Sequence, residues 1–131
     1  NGEVNFEELP KIWADKYEEY LGVRPESFAK GVLQDVHWSG GMIGYFPSYA
    51  LGNLYGAQML YKGILRDLPN YYELIKEGKV SEITKWLAEN VHSHGGTYEP
   101  KVLIEKITGE PLSAKYFLRY LEEKYQDIYK F

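Results

Sequence analysis

The chain has no cysteine. This removes any disulfide framework, thiolate nucleophile or thiolate metal ligand, and it fits a reducing compartment. Positive charge is not in excess: fifteen Lys and Arg stand against nineteen Asp and Glu, a formal net charge of −4. Such a balance repels phosphate backbones and anionic lipid, which argues against nucleic acid or a membrane surface as partner. From Val36 to Tyr61 there is no Asp, Glu, Lys or Arg, a stretch that could span a membrane on length alone. Gly40, Gly41, Gly44, Pro47, Gly52 and Gly56 break it, and Ser39, Ser48, Asn53 and Gln58 scatter polar groups that hydrocarbon would not satisfy. Protein interior beside a loop is expected instead. Residue 1 is Asn, with no signal or transit pattern after it, so the expectation is a fragment of a longer chain. Tyrosine, by contrast, is abundant, with thirteen copies. Each brings ring area and a hydroxyl that seeks a partner, as suits a polar groove as well as a core.

With 131 residues, 44% hydrophobic and 26% charged, the chain is expected to form one globular helical domain over 1–131. Alternating strand patterns and solenoid repeats are absent. Apolar positions Leu9, Ile12, Trp13, Tyr17, Tyr20 and Leu21 recur at helical spacing, with Pro10 in the first turn and Gly22 at the stop. Arg24-Pro25 marks a surface connection over 23–30, and 31–47 reads as irregular. Residues 49–65 are apolar or small nearly all round, the pattern of a helix enclosed by others. Asn70 with Glu73 resembles a capping box, Ser81 is a candidate cap for a helix carrying Ile83, Trp86, Leu87 and Val91, and Pro100 starts a helix that ends at Gly109. Ser113 opens a last helix through Phe117, Leu118, Leu121, Tyr125 and Ile128. The fold expected is all-α, a bundle of about six helices with a glycine-rich irregular loop.

Polar groups interrupt the apolar run most sharply over 31–49. Gln34, Asp35, His37, Tyr45 and Tyr49 are candidates to face one cleft, since glycines let backbone approach a ligand closely. Core satisfaction of His and Tyr is the alternative. His92 and His94 are two apart and point away from each other on a helix, so placement beside a helix end is favoured over metal binding. Arg24 and Arg66 read as solvated, while Arg119 is open between a salt bridge to Glu122 or Glu123 and a substrate role. Tyr17, Tyr20, Tyr61, Tyr71, Tyr72 and Tyr125 fall at packing positions.

Gly31-x-x-Gln34-Asp35-x-His37-Trp38 resembles the G-x-x-Q-D-x-H-W signature of the carboxypeptidase Taq family, thermostable zinc carboxypeptidases. The segment from Gly44-Tyr45-Phe46-Pro47-Ser48-Tyr49 to Tyr55, and Tyr116-Phe117-Leu118-Arg119-Tyr120-Leu121 before Lys124-Tyr125, are similar to later family segments. The resemblance implies the C-terminal portion of a larger, mainly helical, cytoplasmic metallopeptidase that removes single residues from peptide C-termini. It implies zinc, or another divalent metal such as cobalt, in the full-length enzyme, and as partners a peptide substrate, the remainder of the parent chain and a second copy in a homodimer. The family's H-E-x-x-H and I-R-x-x-A-D motifs do not occur in this sequence, so no metal is expected to be held by this fragment alone, which is expected to be inactive. By the same resemblance His37 with Tyr45 or Tyr49 would stabilise the oxyanion, Gln34 and Trp38 would contact substrate, and Asp35 would contact substrate or orient the histidine. The competing expectation is a stand-alone, non-enzymatic helical module binding a peptide or partner protein.

Overall fold

Pro10 lies in the first turn of helix α1 (Leu9–Leu21), and Gly22 closes it in the left-handed conformation, at the two positions expected. In this computed structural model residues 4–130 are described. The chain is all-helical, and no strand occurs among the described residues. Two compact units meet in sequence between Phe46 and Pro47.

In the first unit α1 is followed by the irregular 23–30 connection. Arg24 is not merely solvated: its guanidinium pairs with Asp15 at 2.8 Å and Glu18 at 2.7 Å, two carboxylates one turn apart on α1. The 31–47 stretch is less irregular than expected, with a 3₁₀ turn at Val32–Gln34 and a short helix α2 (Val36–Ser39). The device that builds α2 is Asp35, whose backbone is extended and whose carboxylate accepts from the His37 amide.

The second unit begins with α3 (Pro47–Met59), which passes through a π-helical stretch, Leu60–Ile64, into α4 (Leu65–Asp67). The expected helix over 49–65 is present, but it is not enclosed along its length. Residues 47–53 are exposed, whereas Gln58, Gly63 and Ile64 are buried. The reason is local: the packing partners α6 (Val80–Asn90) and α7 (Pro100–Thr108) converge on its second half. Ile64, Trp86 and Ile107 form the centre, with Met59, Leu60, Ile83, Leu87, Val91 and Leu103 packed against it. Burying each such side chain contributes about 1.5–3 kcal/mol. A Cβ at Gly63 would lie 2.7 Å from the Trp86 ring, so the indole packs where only glycine leaves room.

Polar links lock this core. Trp86 Nε1 donates to Asp67 Oδ2 at 2.8 Å, Arg66 pairs with the same carboxylate at 2.7 Å, and Arg66 Nη1 also donates to the Ile107 carbonyl. Arg66 first, and Trp86 second, hold the Asp67 carboxyl at a pKa of about 2. Arg66, solvated as expected with 53% of its side chain exposed, is thus also a tie between α4 and α7. The Gln58 amide, fully buried, donates to Thr108 Oγ1 and to the Glu110 and Pro111 carbonyls at 3.0–3.1 Å, and accepts from the Ser113 amide at 2.8 Å. It clasps the connection between α7 and α8 (Lys115–Tyr129) onto α3.

Two expected caps do not form. Asn70 precedes α5 (Tyr71–Lys76) with φ −91° and ψ 20°, outside the extended geometry that aims a capping side chain, and it makes no such bond. Helix α6 starts at Val80, so Ser81 lies inside its first turn. Ser113 does open the last helix: it precedes Ala114, whose backbone is already helical, and its Oγ accepts from the Lys115 amide at 3.4 Å. The tyrosines divide as well. Tyr61 and Tyr71 are half-buried, but Tyr17, Tyr20, Tyr72 and Tyr125 are exposed, because no described neighbour covers their helix faces. Arg119 pairs with Glu123 at 2.7 Å and lies 4.5 Å over the Tyr61 ring. The Tyr61 hydroxyl donates to Glu123, and burial together with that carboxylate pushes the phenol up to about 12. His92–His94 form a 3₁₀ turn past the end of α6, where the His94 ring meets Tyr98 edge-on.

Candidate active site

Residues 31–46 fold back on themselves. Gly31 is buried, and a Cβ there would sit 3.2 Å from both Pro25 Cβ and the Ser27 carbonyl, so the motif's first glycine is seated on the preceding loop. Gln34 N bonds the Gly31 carbonyl at 2.9 Å and the Gln34 side-chain amide donates to the Ala29 carbonyl, closing the 3₁₀ turn. Asp35 then caps α2. After α2, Met42 N bonds the His37 carbonyl at 2.8 Å, and Gly41 and Gly44 take φ values of 87° and 79° that other residues rarely adopt. This reversal returns the chain to His37.

One Asp35 oxygen serves twice: it accepts from the His37 backbone at 2.8 Å and lies 3.2 Å from His37 Nδ1. In the tautomer or charge state in which Nδ1–H is donated to Asp35, Nε2 is the ring nitrogen left for another partner. The ring is stacked on Tyr45, with centroids 4.8 Å apart and planes 10° from parallel, and its edge meets Phe46 at 4.8 Å. Each aromatic pair contributes about 0.5–1.5 kcal/mol. His37 and Asp35 are partly buried, while Tyr45 is 37% and Trp38 51% exposed. The candidates Asp35, His37 and Tyr45 are therefore brought into one cluster. Gln34 supports the turn behind it with one of its amide hydrogens. Tyr49 stands on the first turn of α3, in the second unit, 58% exposed. Phe46 was not among the expected site residues, although its signal is an aromatic pair, Tyr45-Phe46, directly after the glycines that reverse the chain.

As chemistry, this is a histidine of set orientation beside a phenol, both reachable by solvent: a pair able to donate hydrogen bonds to a developing negative charge. It is not a metal centre. Among the described residues no three His, Asp or Glu side chains gather where an ion could be held, so the described donor set does not fit a metal. No helix among the described residues is long and apolar enough to cross a membrane.

A family model described as "Carboxypeptidase Taq (M32) metallopeptidase" matches residues 1–125. Carboxypeptidase 1 of Bacillus subtilis is 47% identical over 129 residues, covering 98% of this chain and 26% of the relative. Thermostable carboxypeptidase 1 of Thermus thermophilus is 44% identical, over 98% of this chain and 25% of the relative. The crystal structure of a carboxypeptidase of this family from Deinococcus radiodurans superposes with a TM-score of 0.92 at 37% identity, over 99% of this chain and 26% of that one. The chain thus spans about a quarter of the length of the relatives it matches. On a match that runs from the first residue almost to the last, the chain belongs to the carboxypeptidase Taq family of metallopeptidases.

Proposed function

We propose that residues 1–131 act as one helical domain at the C-terminal end of a metal-dependent, cytoplasmic and homodimeric carboxypeptidase, supplying part of the cleft that receives the end of a peptide. The metal, zinc or another divalent ion such as cobalt, is held by residues outside this chain, and the 131 residues alone do not cleave peptide. What carries the reading is the cluster of Asp35, His37 and Tyr45, a pair of outward donors fixed by a carboxylate and a ring stack. It lies in the segment that resembles the family's G-x-x-Q-D-x-H-W signature.

When the last peptide carbonyl is attacked, negative charge gathers on its oxygen. His37, held by Asp35 through Nδ1, presents Nε2 to that oxygen, and the Tyr45 hydroxyl donates beside it. Tyr49 is the second phenol able to serve there. Trp38 offers an exposed ring to the substrate side chain, while Gln34 keeps the turn closed and has its remaining amide hydrogen and oxygen for the peptide backbone. Because these donors address charge that exists only during attack, their loss lowers kcat more than it raises KM.

The test uses the full-length parent enzyme. His37→Ala and the Tyr→Phe change at the responsible position, 45 or 49, should each lower kcat by about a hundredfold, with KM within about threefold. Bound metal should be unchanged. Tyr→Phe keeps the ring and its stack, so lost turnover would not reflect a cavity. Turnover within about twofold of the parent in all three variants, under 0.5 kcal/mol of barrier, would return the cluster to a purely structural role.

A further inference from the structure

The face of α1 is the largest feature that neither the core nor the proposed cleft explains. None of its residues is buried, yet its pattern is strictly two-sided. Leu9, Ile12, Trp13, Tyr17, Tyr20 and Leu21 line one continuous apolar groove along the helix, with Trp13 and Tyr17 stacked at 4.6 Å and 15°. The polar side is fully organised: Lys11 pairs with Asp15, and Arg24 ties Asp15 to Glu18. Even Lys16, at the groove's margin, lays its ammonium 5.4 Å over the Tyr20 ring and pairs with Glu19. A helix with satisfied charges and an open aromatic stripe is built to be covered.

We infer that this face is the seat of a helix from the same parent chain, contributed by residues outside 1–131. The inference rests on the proposal that the chain is part of a longer enzyme, and three observations select this occupant. The matched relatives are about four times the length of this chain, so nearly three-quarters of such a protein lies outside it. The portion of a solved relative that this all-helical chain matches superposes on it with a TM-score of 0.92, and a thirteen-residue stripe about 20 Å long fits the side of another helix rather than a small molecule. The groove also carries no unpaired charge: Lys16 is already matched by Glu19, so the occupant presents apolar side chains, with its own charges outside the seam. The flat, wide rings of Trp13 and Tyr17 leave room for Leu, Ile, Val or Met between them and Leu9 or Leu21.

Photocrosslinking in the full-length parent tests this without reading turnover, so its failure is separable from failure of the catalytic proposal. The benzophenone amino acid p-benzoylphenylalanine is placed at position 17, in the middle of the groove, and separately at position 20. The latter residue is 71% exposed and tolerates bulk should the first variant fold poorly. After irradiation, peptide mapping should find the label joined to a segment outside residues 1–131 of the same chain, at least tenfold in excess over any other product. A product of doubled mass, joining two copies, would assign the face to a homodimer and overturn the inference. Links confined to residues 1–131, or no link at either position, would overturn it equally.

Discussion

The unit that starts at Pro47 and the unit that ends at Phe46 are held by different means. In the former, Ile64, Trp86 and Ile107 meet in a centre surrounded by other apolar side chains, and Asp67, Arg66 and Gln58 stitch elements to one another across 19, 41 and 50 residues of sequence. In the latter, the one buried residue among those described is Gly31, and the shape is kept by contacts a few residues apart: Arg24 on Asp15 and Glu18, Asp35 on His37, His37 on Tyr45. The candidate chemistry lies on the part with almost no core of its own. Local hydrogen bonds can set the direction of a side chain, but apolar burial supplies most of a fold's stability. The orientation of His37 and the stability of the chain are therefore separable properties.

The sharpest way to break this contrast is to truncate one tryptophan in each unit. Trp86→Ala removes a ring that is 6% exposed, together with its bond to Asp67, and should lower the stability of the 131-residue chain by about 3–5 kcal/mol in denaturant unfolding. Trp13→Ala removes the same atoms from a face with no buried residue and should cost less than about 1 kcal/mol. Equal losses would mean that α1 is covered within this chain and would erase the distinction between the units.

That distinction also explains what the sequence disclosed. Helices α1, α3, α5, α6, α7 and α8 follow from apolar spacing and from Pro10, Gly22, Pro100 and Gly109, since periodicity and helix ends are written within one or two turns. That Asp35 could orient His37 came from the family resemblance rather than from spacing, although the two groups stand only two residues apart. The capping roles given to Asn70 and Ser81 were misplaced because a cap depends on backbone angles that neighbouring packing decides. Gln58 and Arg66 were read as a stray amide and a solvated end, because their partners lie about fifty and forty residues away. A lone amide inside an uncharged helix does carry a signal, since buried polar groups need partners, but it does not say which ones. The resemblance to one family supplied what spacing could not: the expectation from which a role is proposed for the segment from Gly31 to Tyr49.

A smaller effect should appear with acid, and in the second unit. The Asp67 carboxyl, held at about 2 by Arg66 and Trp86 against an ordinary 3.8, favours the folded state while it is ionised. A depressed pKa contributes stability that is complete above the unfolded value and fades as pH falls from about 4 through about 2. The side chain is 35% exposed, so solvent screening reduces the contribution to about 1 kcal/mol. Asp67→Asn should flatten the unfolding free energy over that window relative to the parent chain, with little change in its slope above pH 5. An unchanged acid limb would remove Asp67 from the forces that hold α4 to α6.

The smallest gains, set against one loss, divide a single helical stretch. Gly52 and Gly56 lie in α3, where an added Cβ would meet nothing within 4 Å, while one added at Gly63, in the π turn, would lie 2.7 Å from the Trp86 ring. Alanine is favoured over glycine in a helix interior by about 0.8–1 kcal/mol. Gly52→Ala and Gly56→Ala should therefore each stabilise the 131-residue chain by about 0.5–1 kcal/mol, because an open position keeps the backbone gain and adds no clash. At Gly63 the same methyl must displace a ring held by Asp67 and packed on Ile107, and overpacking of that kind costs about 1–3 kcal/mol. Thermal unfolding of the three variants reads the sign directly. Opposite signs along one helix would locate the boundary between its packed half and its open half between positions 56 and 63. A loss at Gly52 would place a neighbour against the open half and move that boundary toward Pro47.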